Sequence, residues 1–412
     1  MIRTSLLTAC ALGGIFVAAC SSGRDSSFGE GSSSGGSSSS GGTFGRADGG
    51  GTTSSGKPCV PDPKNYDVPG NNCDDDGDGK VDNPPTCDDG LTATGDAEAF
   101  ARALGICTKA SEKGYGLVSA TFSRGYNRND APRAEQHGIL PKFGNVIKPR
   151  EGASLGVLST GFAREYNGNG NEPFGGVEAR GGSPIFHGRD WYDYGRALPG
   201  KPGNGSAPPG FPKPASGCEQ ENAVNDVVNI KLELKAPQNA SGVRFDFNFY
   251  SGEWPAYICS PFNDGFIAYL TAKGFNNGQG DNMSFDKDNN PVSVNNGFFD
   301  RCTPNFETGC APDSEKRATA ACPGGVAELA GTGFGIEGTW CSPYPEGNGA
   351  RSTNGGATGW LTSQAPVQPG ETFTLELMIW DTGDAVLDSS VLLDNFAWAE
   401  GEVTTTTDRP PK

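Results

Sequence analysis

Histidine is nearly missing from this chain: His137 and His187 are the only two among 412 residues. There is no H-E-x-x-H and no C-x-x-C pair, so the common local zinc-ligand spacings are excluded. Basic residues are scarce as well, with 32 Lys and Arg against 49 Asp and Glu and a formal net charge of −17. Nucleic-acid binding requires a basic footprint, so nucleic acid is excluded as a partner. An acidic exterior suits cation-rich surroundings. No apolar run reaches the roughly 18 residues of a membrane helix.

The N-terminal apolar run, Leu6 to Ala19, follows the single positive charge of Arg3. That pattern fits a secretory signal peptide over residues 1–19. Val17-Ala18-Ala19-Cys20 resembles a bacterial lipobox, with Cys20 acylated as the new N-terminus and the membrane engaged through that lipid. Ser21 rather than Asp follows the cysteine, a pattern expected for outer-membrane or cell-surface delivery. Residues 20–57 are almost wholly Gly and Ser after the cysteine and are expected to form a disordered tether.

Ten further cysteines follow Cys20: Cys59, Cys73, Cys87, Cys107, Cys218, Cys259, Cys302, Cys310, Cys322 and Cys341. An even set in an exported chain reads as disulfides whose pairing the sequence leaves open.

Between Cys73 and Cys87 stand five aspartates, in CDDDGDGKVDNPPTC. Like charges crowded this way repel unless a cation lies among them. Asp74, Asp76 and Asp78 alternate, Gly79 follows, then Lys80 and Asp82. This D-x-D-x-D-G spacing supplies hard oxygen ligands from one curved segment, with the Lys80 carbonyl as the next ligand. Calcium is the cofactor expected for residues 58–90. Position twelve is Pro85 where a helix–loop–helix hand has a bidentate glutamate, so short calcium repeats such as those of thrombospondin type 3 are the nearer resemblance. An acidic, disulfide-bounded spacer is the simpler alternative.

Gly at 63 and Pro at 30 residues point to turn-rich β structure. One short helix is expected from GDAEAFARALGI, with Asp96 as N-cap and Gly105 as its stop. Strands are expected at 115–122, 154–163, 227–234, 243–250, 265–272, 359–363, 373–380 and 390–399, with a hairpin around 286–290. In VRFDFNFY, Val243, Phe245, Phe247 and Phe249 share one face. The fold class is therefore all-β and mainly antiparallel: a β-sandwich, jelly-roll-like in outline, over residues 91–403, with a disordered tail at 404–412.

FDFNFYSGEWPAYICSPFNDGFIAYL, residues 245–270, resembles the core signature of the choice-of-anchor L domain. QHGILPKFG, GVLSTG, FDKDNNPVSVNNGF, GATGWLTSQAPV and IWDTGDAVLDSSVLLDNFAW match in the expected order, over about residues 91–403. The resemblance implies a bacterial surface protein without enzymatic activity. The family's common Glu-Glu pair is reduced here to Gly252-Glu253.

Acids also gather at expected strand ends: Glu253, Asp264, Asp381, Asp384 and Asp388. They form a second candidate cation site, with turn chemistry as the alternative. Trp191, Tyr192 and Tyr194 open a long Pro/Gly loop and are candidates for stacking on a glycan, with pinning of the loop to the sandwich as the alternative; a glycan or a surface protein is the expected partner. A nucleophile is not expected, since LSTG at 158–161 lacks an elbow spacing. The functional expectation is a non-catalytic, calcium-stabilised binding or adhesion module on the cell envelope. The alternatives are a glycosidase using Glu253 and Asp264 as acid and base, or a passive structural component of the envelope.

Overall fold

The computed structural model describes residues 58–163, 205–254, 259–295, 356–383 and 388–410, with 298, 328, 329, 332, 334 and 385 between them. Cys20, Trp191, Tyr192, Tyr194, Asp384, Cys302, Cys310, Cys322 and Cys341 lie outside the described residues.

Alternating apolar positions dictate two antiparallel sheets. The first contains β1 (Gly116–Ser123), β4 (Val224–Lys235), β6 (Gly265–Thr271), β7 (Asp281–Asn282), β8 (Val292–Ser293) and β11 (Thr372–Thr382). Its order is β1-β4-β11-β6-β7, with β8 also on β6. The second contains β2 (His137–Leu140), β3 (Leu155–Ser159), β5 (Gly242–Ser251), β9 (Gly356–Ala357), β10 (Leu361–Pro366), β12 (Ser389–Ala399) and β13 (Thr406–Asp408). Its order is β13-β10-β5-β12-β3-β2, with β9 also on β5.

The inner faces meet in one core. Val243, Phe245, Phe247 and Phe249 of β5 join Phe373, Leu375, Leu377 and Ile379 of β11 in it. Phe247 of the second sheet lies 5.1 Å, ring to ring, from Phe266 of the first. Each such fully buried side chain contributes about 1.5–3 kcal/mol. The outer faces are covered in part too: Tyr250 packs with Phe143 and Leu392, and Trp380 with Val227 and Ile267. The expected sandwich is therefore present, with an apolar cluster on each outer face as well.

Helix α1 (Ala97–Ala103) closes the sandwich between β1 and β3. Asp96 caps it, accepting the Ala99 N–H at 2.8 Å. Phe100 and Leu104 pack over Gly156 of β3, where an added Cβ would lie 2.6 Å from the Phe100 ring. One helix was expected, and the described residues contain two. The second, α2 (Ala110–Lys113), is a single turn ended by Gly114 at φ 82°, too short for apolar periodicity to announce it.

A disordered tail was expected at 404–412, but its described residues include a strand. Thr406–Asp408 forms β13 on the edge of β10, in register Thr362↔Asp408 to Gln364↔Thr406. Four threonines at 404–407 suit an edge strand, and Thr407 shares a 2.7 Å hydroxyl contact with Ser363.

The acidic segment is docked onto the sandwich. Tyr66 and Val68 belong to the main core. Tyr66 and Asn239 exchange hydrogen bonds of 3.2 and 2.8 Å. The Asp88 carboxylate accepts the N–H groups of Ala153 and Ser154, each at 2.6 Å. Disulfides Cys59–Cys73 and Cys87–Cys107 tie this segment, and Cys218–Cys259 links the approach to β4 with that to β6.

Candidate metal and binding sites

The first expected site is assembled by backbone turns. The Asp78 N–H donates to Asp74 Oδ1 at 3.0 Å and the Gly79 N–H to Asp74 Oδ2 at 2.9 Å. That curl brings carboxylate oxygens of Asp74, Asp76 and Asp78 within 4.8 Å of one another. Among the described residues this is the one group of three His, Cys, Asp or Glu so gathered. Asp78 is held below the usual carboxylate range, first by the Asn83 side-chain amide and then by the Lys80 N–H. Asp82 stands apart from the trio. Its Oδ1 accepts the N–H groups of Gly70, Asn71 and Asn72 at 2.9–3.1 Å. Lys80 reaches Asp78 through its backbone N–H, at 2.8 Å.

Two acids beneath the loop, absent from the expected ligands, organise it. Asp75 is buried and accepts the Val68 N–H at 3.1 Å and the Asn71 side-chain amide at 2.8 Å. Asp67 accepts the Asp75 N–H at 3.0 Å and also the Asn83 N–H. Desolvation raises its pKa above the ordinary value. The signal for both was present in sequence as acids outside the alternating trio.

The second group lies where β11 leaves the first sheet and β12 enters the second. Glu253, Asp264, Asp381 and Asp388 are all buried. Glu253 Oε2 accepts the Asp264 N–H at 3.1 Å. Asp264 in turn accepts the Thr382 N–H at 3.3 Å and the Ser389 hydroxyl at 2.6 Å, joining the two sheets. Gly161 makes room for Asp388: a Cβ there would sit 2.0 Å from its Oδ2. Burial, followed by the charges of Asp264, Asp226 and Asp388, raises the Asp381 pKa well above the ordinary carboxylate value. Glu253 and Asp264 are buried, at 1% and 0% exposure.

Gly152-Ala153-Ser154-Leu155-Gly156 satisfies the letters of G-x-S-x-G. Ser154 is buried, and its hydroxyl donates to the Asp88 carbonyl at 3.1 Å. It opens strand β3, whereas a nucleophile elbow requires an exposed serine on a strand-to-helix turn.

A third feature, unannounced in sequence, is a polar cleft of about 350 Å³ on the second sheet's outer face, lined by Arg150, Arg244, Asp246, Gln364, Asn395 and Arg409 among others. Arg150 Nε donates to Asp246 at 3.0 Å. A bulge between β5 and β12, with Asn395 at φ 52°, aims the Asn395 amide at the same carboxylate, 2.9 Å away. Period-two alternation places Arg244 and Asp246 on that face, but only the bulge brings Asn395 to it.

This two-sheet sandwich can be compared with known proteins. Residues 215–397 match the family model of the Choice-of-anchor L domain. The choice-of-anchor L match covers β4 through β12, less than the 91–403 over which the resemblance was read. Strands β1, β2, β3 and β13 lie outside it and are nonetheless hydrogen-bonded into the same two sheets. No curated protein and no solved structure matches the chain. A choice-of-anchor domain points to a cell-surface protein. Among the described residues no helix is long and apolar enough to cross a membrane.

Proposed function

We propose that this chain is a non-catalytic binding module held at the bacterial cell envelope by a lipid on Cys20, with calcium in its Asp74/Asp76/Asp78 loop. The observation that carries the reading is the convergence of those three carboxylates, within 4.8 Å, in a segment anchored to the sandwich. Without a cation the trio is mutually repulsive. With one, the loop, the Asp75 and Asp67 network and the Tyr66 anchor become a single rigid unit. The polar cleft with Arg150, Arg244 and Arg409 is the surface that receives an oxygen-rich ligand, a glycan or an acidic surface protein. The choice-of-anchor L match supports the surface role.

Calorimetric titration of the full chain tests the calcium step. Saturable binding is expected at about 10⁻⁴–10⁻³ M, typical of extracellular modules, and is lost in a D74N/D76N variant. The absence of saturable heat at millimolar calcium refutes it. A glycan array probed with the wild type and R244A tests the ligand step. Retention by the wild type and loss by the variant are expected, and equal signals from both refute the cleft assignment.

A further inference from the structure

The acids at the β11–β12 crossing form a second constellation, different in kind from the exposed loop. Asp226 belongs to it as well. β4 and β11 pair Val228 with Ile379 and Asn225 with Asp381, so two residues of β4, Asp226 and Val227, oppose Trp380 alone. Asp226 takes φ 50° in this bulge, a left-handed conformation uncommon for a residue with a side chain. It is 4% exposed, Asp264 and Asp381 are 0%, and Asp388 is 3%.

Asp381 is the decisive residue. It is wholly buried, and neither carboxylate oxygen has a hydrogen-bond partner. Thr160 lies near enough to favour its charged form but makes no well-formed hydrogen bond to it. The other charges that bear most on it, those of Asp264, Asp226 and Asp388, are all negative. A buried, unpaired carboxylate is costly, and a proton removes only part of the cost. A proton on one oxygen of Asp381 would leave the second without a donor and the neighbouring charges without a counter-ion. One hard divalent cation satisfies both oxygens and offsets the neighbouring charges together.

We propose that Asp226, Asp264, Asp381 and Asp388 bind a hard divalent cation of the calcium class between the two sheets, with the Thr160 hydroxyl beside it. The donor set is all oxygen, which favours calcium or magnesium over zinc or copper. These acids are less tightly gathered than the loop trio, since among the described residues only Asp74, Asp76 and Asp78 bring three carboxylates within 4.8 Å. Calcium accepts six to eight oxygens, carbonyls and water included, and does not need three carboxylates in contact. The ion ties the end of β11 in one sheet to the start of β12 in the other. This site stands independently of the exposed loop.

Native mass spectrometry of the full chain, stripped with chelator and reloaded with calcium, counts the ions. The wild type is expected to hold one more ion than D381N, and D74N/D76N to retain the ion that D381N loses. A D381N protein with the wild-type ion count overturns the proposal. If the loop reading alone is wrong, the wild type and D74N/D76N hold the same single ion and D381N none. Should D381N fail to fold, an anomalous difference map from wild-type crystals grown in calcium decides: a peak about 2.3–2.6 Å from the Asp381 oxygens upholds the site, and an empty map overturns it.

Discussion

At the scale of single residues, buried carboxylates in this molecule divide according to what they accept. Asp394 takes the backbone N–H groups of Arg150, Glu151 and Asn395, yet burial outweighs them and lifts its pKa from 3.8 to about 7. The folded protein therefore keeps this proton up to about pH 7, while the unfolded chain releases it near pH 4. Across that window the folded state binds more protons, and its stability falls as pH rises. The contribution is at most about 4 kcal/mol, at about 1.4 kcal/mol per unit. D394N, neutral throughout, is expected to flatten the decline of Tm between pH 4 and 7; a profile parallel to the wild type refutes this. Asp88 is likewise a dock, accepting the Ala153 and Ser154 N–H groups. D88A leaves those donors unsatisfied and is expected to cost about 2–4 kcal/mol in denaturant unfolding; a change below about 1 kcal/mol would contradict that role. Single residues were only partly legible in sequence. Spacing singled out Asp74, Asp76 and Asp78, because the groups gathered by one local loop follow one another along the chain. It included Asp82, whose carboxylate is occupied by three N–H groups of the preceding turn. It missed Asp226, because a bulge in β4 rather than any motif turns that residue toward Asp381.

At the scale of elements, legibility followed length. The eight residues of FTLELMIW and VRFDFNFY carry enough alternation to fix both strand and inward face. By contrast, β7 and β9, two residues each, are strands only because a longer neighbour pairs with them. Helix α1 was legible from both ends, through Asp96 and Gly105, and its seat depends on one small residue of β3. G156A places a methyl against Phe100 and Leu104, at 2.6 and 2.7 Å from the built Cβ. Overpacking there is expected to cost about 1–3 kcal/mol, whereas D96A, which removes only the cap, costs about 1 kcal/mol. Urea unfolding of both variants tests the order. A G156A protein as stable as the wild type would mean that α1 does not bear on β3 in this way.

At the scale of the whole molecule, the two-sheet plan was legible because its apolar faces are long and regular, but its closure was not. Sheet edges are decided by pairing between distant segments, and composition alone describes them poorly. Residues 404–410 show this most clearly, since a threonine-rich stretch without an apolar pattern still adds a strand to the second sheet. Beyond the β10–β13 ladder, the Phe285 N–H donates to Thr407 Oγ1 at 3.2 Å, and Arg409 reaches the carbonyl oxygens of Thr358 and Phe298 at 2.5 and 3.2 Å. Deleting residues 404–412 therefore removes more than a tail. It uncovers β10, a strand whose Leu361 and Ala365 are buried, with one row of N–H and C=O groups unpaired. An exposed edge of that kind templates pairing with another chain. The truncated protein is expected to melt several degrees lower, roughly 2–4 °C for each 1 kcal/mol lost in a domain of this size. It is also expected to elute earlier than the full chain on size exclusion, in proportion to concentration. An R409A variant separates the two contributions, because it removes the side-chain tie and leaves the strand. If R409A reproduces the whole loss of stability without self-association, the arginine holds this end of the molecule. If neither variant changes melting or elution, β13 does not protect the edge it covers.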